Sequence, residues 1–71
     1  MTWSDRKELR GFIINELSGG PMAFSVIRWR AQFSAVGRGD EWYVYRAVGD
    51  CLQLLKKYGR VVYIDYKWRL Q

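Results

Sequence analysis

DEWYVYRAVGDCLQLLKKY, residues Asp40 to Tyr58, is the stretch whose reading decides the fold. Its apolar residues Val44, Ala47, Val48, Cys51, Leu52, Leu55 and Tyr58 recur at helical spacing with no skipped turn, which predicts a long amphipathic helix with one face in a core. The opposite face carries Trp42, Arg46, Gly49, Asp50, Gln53 and Lys57, a mixture able to meet a partner. Asp40 can cap the start, while Lys56 and Lys57 suit the negative end of the helix and Gly59 suits the left-handed residue that closes it.

Beyond Gly59 the chain changes period. If Asp65-Tyr66 is a turn, then Val61 faces Leu70, Val62 faces Arg69, Tyr63 faces Trp68 and Ile64 faces Lys67. The apolar pairs fall on one face and the basic residues on the other, which predicts a two-stranded hairpin. Asp-Tyr is not the Asn-Gly or Asp-Gly pair that a tight primed turn favours, so a slightly longer loop in the same register is the alternative.

Upstream, Thr2 or Ser4 can cap a first helix over about Ser4 to Leu17, with Leu9, Phe12, Ile13 and Leu17 inward and Ile14 beside that stripe. Ser18-Gly19-Gly20-Pro21 stops it, because glycine accepts a left-handed turn and proline cannot continue the ladder. Ser25 is a plausible cap for a second helix over about Ser25 to Ala35, with Val26, Trp29, Phe33 and Val36 inward and Arg28 and Arg30 in solvent. Trp3, Trp29 and Trp68 are expected in the core. Met22-Ala23-Phe24 leaves room for a short extra strand, and Gly37-Arg38-Gly39 reads as a turn between helices. The expected class is therefore α+β, one domain over residues 1–71 with three helices followed by a C-terminal antiparallel hairpin.

Composition narrows what such a domain can do. Hydrophobic residues at 49 % and aromatics at 17 % mark a chain that folds, and 71 residues leave space for one small core. The net charge of +5 gives a positive field that attracts polyanions. There is no histidine and one cysteine, so the common zinc and haem ligand sets cannot be assembled and no metal or cofactor is expected. No carboxylate constellation suggests an enzyme. A lone Cys51 on a core face, no signal-peptide pattern and no apolar run of membrane-spanning length point to a cytoplasmic protein without membrane contact.

Two helices, a glycine-containing turn, a long helix and a closing hairpin form an order that resembles the winged helix-turn-helix DNA-binding superfamily. The residues carrying the resemblance are VYRAVGDCLQLLKKYGRVVYIDYKWRL, Val44 to Leu70, which end on the triplet Trp68-Arg69-Leu70. The resemblance implies that Asp40 to Tyr58 enters the major groove of double-stranded DNA, with Trp42, Tyr43 and Arg46 nearest the base edges. It further implies that Lys67, flanked by Arg69 and Arg60, grips phosphate. The residue chemistry agrees: arginine can bind guanine bidentately, Gln53 can read adenine, and Arg38 and Lys57 can neutralise phosphates. The function this implies is a sequence-specific transcriptional regulator, used as a homodimer or with a protein partner. The alternative is a protein-interaction module, favoured by Trp42, Tyr43 and Tyr45 together with Asp40, Glu41 and Asp50, whose carboxylates repel phosphate.

Overall fold

The computed structural model describes residues 6–34 and 41–71, with the side chain of Glu41 excepted. Three helices, α1 (Arg6–Leu17), α2 (Phe24–Gln32) and α3 (Glu41–Lys57), are followed by strands β1 (Val61–Ile64) and β2 (Lys67–Leu70). The α+β layout is the expected one. Thr2, Trp3, Ser4, Ala35, Val36, the turn Gly37-Arg38-Gly39 and the cap Asp40 lie outside the described residues.

α3 is the element on which the others pack. Val44, Ala47, Val48, Cys51, Leu52 and Leu55 are all buried, so its inward stripe is the expected one apart from its last member. Tyr58 is 68 % exposed. The reason is local: the helix has already closed at Lys57, where the Gly59 amide donates to the Lys56 carbonyl and the Arg60 amide to that of Leu55. With Gly59 at φ 73°, this is a Schellman cap, and it turns Tyr58 off the helical stripe.

α1 contributes Leu9, Ile13 and Leu17 to the core, with Phe12 and Ile14 half-buried against it. Three successive amides then fold back, Ser18 to the Ile14 carbonyl, Gly19 to Glu16 and Gly20 to Leu17. Gly20, at φ 132°, redirects the chain in a conformation that a Cβ would disfavour.

The hairpin has the expected register, Val61 with Leu70, Val62 with Arg69, Tyr63 with Trp68 and Ile64 with Lys67. Its tip corrects the longer-loop alternative. Asp65 and Tyr66 form a two-residue turn at φ 54° and 65°, both left-handed, so the strands keep their pairing at the cost of two strained non-glycine residues. The extra strand shrinks to a single bridge. Met22 donates to the Trp68 carbonyl at 2.9 Å and accepts from the Trp68 amide at 2.7 Å, which places β2 between β1 and Met22. Trp68, held from both sides, is 6 % exposed and closes the core beneath α1.

α2 departs from expectation. It starts at Phe24 with Ala23 in the cap position and no side-chain cap bond, so Ser25 is an exposed first-turn residue instead of the cap. Ile27 and Ala31 are buried, whereas Val26, Trp29 and Phe33 are 43, 58 and 69 % exposed. The inward face is thus the opposite one, and Trp29 is no core residue. Phe24, Ile27 and Ala31 also recur at helical spacing, and the Met22 bridge two residues before Phe24 fixes which face turns inward. The small side chain of Ala31 lets the helix approach its neighbours closely.

Candidate nucleic-acid interface

The outward stripe of α3 follows directly from its buried one. With Val44, Val48 and Leu55 inward, Arg46, Gln53 and Lys57 are exposed along the opposite side, and Trp42 is 69 % exposed at its first turn. Gly49 is half-buried at the edge of the stripe nearer α2. A Cβ there would meet the Phe24 ring at 3.9 Å, so packing does not require the glycine. Tyr43 is half-buried and packs against the core, which leaves part of its ring to a partner.

Each flank of the stripe carries an arginine from another helix. On the α1 side, Arg6 Nη1 donates to Asp50 Oδ2 at 2.7 Å. The bond and the charge of Asp50 push the Arg6 pKa up, so the guanidinium stays charged throughout the neutral range. Asp50 is the one carboxylate between Trp42 and Lys57, and its charge is met by a residue 44 positions away. On the α2 side, the Arg28 guanidinium lies 5.8 Å above the Tyr45 ring. Tyr45 contacts Trp42 edge-on at 5.8 Å between centroids and Phe24 at 5.3 Å, so the exposed indole is supported by an aromatic series reaching the edge of the core.

The hairpin supplies a second basic surface. Val61 and Trp68 face the core, so Val62, Ile64, Lys67 and Arg69 share the outer face, and Arg60 precedes β1 in the same alternation. Lys67 and Arg69 line a shallow depression with Pro21, Ile64 and Asp65. The Gln71 amide bonds the Arg60 carbonyl at 3.2 Å, extending the ladder by one pair and holding Arg60 beside the strand ends. Lys57 and Arg60 stand on either side of the helix cap, so the stripe of α3 and the hairpin meet there.

Of the expected binding residues, Trp42, Arg46, Gln53 and Lys57 share the α3 face, and Arg60, Lys67 and Arg69 share the hairpin face; Arg38 lies outside the described residues. Among the described residues, none of these cations forms an ion pair. Arg6 and Arg28 were not expected at the site. Arg28 carried a weak signal as a cation one helix away, but nothing local in the sequence links Arg6 to Asp50.

Among the described residues, no cluster of three or more histidine, cysteine, aspartate or glutamate side chains could hold a metal, and no helix is long and apolar enough to cross a membrane. Burial pushes the Cys51 thiol up, so it remains protonated at neutral pH and behaves as a small apolar group, with its Sγ 3.9 Å from the Arg6 carbonyl. Comparison with protein-family models, with curated proteins and with solved structures finds no match.

Proposed function

We propose that this protein binds double-stranded DNA through the outward face of α3, as a winged helix-turn-helix transcriptional regulator. The observation that carries the reading is the Arg6–Asp50 pair. Left alone, Asp50 would set a negative charge in the middle of the stripe, and its pairing leaves Arg46 and Lys57 to dominate the field there. In this reading Arg46 meets guanine in the major groove, Gln53 reads adenine, and Trp42 contacts the groove from the first turn. Lys57, Arg60, Lys67 and Arg69 hold phosphates and release counterions.

Selection from a random duplex pool at two salt concentrations tests this. The expected outcome is a recovered consensus whose preference at one position is relaxed by Arg46→Ala, whereas Lys67→Ala weakens all sequences alike. Arg6→Ala is expected to weaken every duplex by uncovering Asp50, and Asp50→Asn in the same chain to restore it. Recovery of no duplex at low salt would reject the reading.

The protein-interaction reading has its own support in the Trp42–Tyr45 pair, since exposed aromatics dominate protein interfaces. A stoichiometric protein partner lost in Trp42→Ala, with no nucleic acid bound, would select it.

A further inference from the structure

The outer face of α2 carries an apolar stripe that the core does not use. Val26, Trp29 and Phe33 recur at i, i+3 and i+7, all exposed, and the Trp29 and Phe33 rings already contact each other at 5.0 Å between centroids. Phe12 from α1 is half-buried at the edge of the same patch, in a shallow groove with Trp29, Arg30 and Phe33. Single exposed apolar residues need no explanation, but a contiguous aromatic stripe marks an interaction surface.

We propose that this stripe is the contact between two copies of the chain, α2 against α2 about a two-fold axis. Charge favours a second copy. The molecule as a whole carries +5, so most ways of bringing two copies together oppose like charges. At this patch the neighbouring cation Arg30 is already ion-paired with Glu16 of α1, and the other border carries the neutral Ser25. Among the described residues the rim is therefore polar with its charges paired, around an aromatic centre, the layout of a protein interface. An isologous contact also lets the Arg30–Glu16 pair of each copy face that of the other without repulsion.

Position points the same way. Arg30 reaches α1 and Arg28 reaches Tyr45 of α3, so α2 is held on both sides and its apolar stripe faces away from its buried Ile27 and Ala31. A copy docked there leaves the outward stripes of both α3 helices open. The area sets the strength: three side chains exposed to this extent offer on the order of 300 to 400 Å², about half of what one partner contributes to a standard stable interface. The dimer is accordingly weak in solution. A ligand with two sites would strengthen it through effective concentration.

Sedimentation equilibrium of the full chain, without nucleic acid and up to about 1 mM, tests the proposal independently of the DNA reading. The expected result is a reversible monomer–dimer equilibrium in the wild type. Trp29→Asp and Phe33→Asp should each weaken it at least about tenfold while retaining the helical circular dichroism and melting transition of the parent, and Trp42→Ala should leave it unchanged. A wild type that stays monomeric across the range would overturn the proposal, as would a dimer that survives both aspartate variants in the folded state. If one aspartate variant fails to fold, the other decides.

Discussion

α2 and α3 are both amphipathic helices packed on the same core, yet their sequences orient them to different degrees. On α3 the single aliphatic stripe is buried, Val44, Ala47, Val48, Cys51, Leu52 and Leu55 having exposures of 5 % or less, and the aromatics Trp42 and Tyr45 face out near its start. On α2 the largest, Trp29 and Phe33, face out, while Ile27 and the much smaller Ala31 face in. The difference lies in how many apolar stripes each sequence offers. α3 offers one, so the pattern alone orients the helix. α2 offers two, and its orientation is set by space and by the Met22–Trp68 bridge.

The largest expected effect that could break this contrast is Leu52→Ala, which removes a fully buried side chain of α3 and should cost roughly 2–5 kcal/mol in urea unfolding. Trp29→Ala, which deletes a larger side chain from α2, should cost less than about 1 kcal/mol in the same experiment. Comparable costs for the two would mean that α2 is buried on its aromatic face. Next, Ala31→Leu should destabilise by about 1–3 kcal/mol, because Ala31 is fully buried and a larger side chain must displace its neighbours.

Gly49 sharpens the α2–α3 contact itself. A Cβ there meets the Phe24 ring at an ordinary van der Waals distance, so Gly49→Ala should raise stability by about 1 kcal/mol through helix propensity. Gly11→Ala on α1, where a Cβ meets open space, is the reference and should give a similar gain. A loss at Gly49 with a gain at Gly11 would place α2 closer to α3 than the structure has it.

The smallest effect concerns pH. Burial raises the Cys51 pKa in the folded state, so the folded protein favours the protonated thiol. That contribution is fully present below the thiol's unfolded pKa and is lost as the pH rises through the folded one. Melting temperature should therefore fall on the alkaline side of the ordinary thiol range, and Cys51→Ala should flatten that part of the profile.

The same contrast explains what could be read from the chain and what could not. α3 and the hairpin are written in one-dimensional periods, 3.6 and 2, and each period has a single solution: the Val61–Leu70 and Tyr63–Trp68 pairs fix the register even though Asp65 and Tyr66 must adopt left-handed backbone to close it. Tyr58 continues the α3 spacing yet is exposed, because it lies one residue past Lys57, where the Gly59 cap stops the helix. Trp29 misled because large aromatics are usually buried, and a competing stripe of smaller residues gives no sign of its advantage until the neighbouring helices are in place. At the candidate interface, Arg46, Gln53 and Lys57 were legible from periodicity. The compensation of Asp50 by Arg6 was not, since it depends on how α1 lies against α3.

The most direct test of the account is the affinity for a selected duplex measured by fluorescence anisotropy as a function of salt. If Lys57, Arg60, Lys67 and Arg69 each hold a phosphate, the logarithm of the association constant should fall against the logarithm of salt concentration with a slope of about −3 to −4. Lys67→Ala should make that slope shallower by about one. Binding whose strength does not change with salt, or no binding at the lowest salt, would contradict the account.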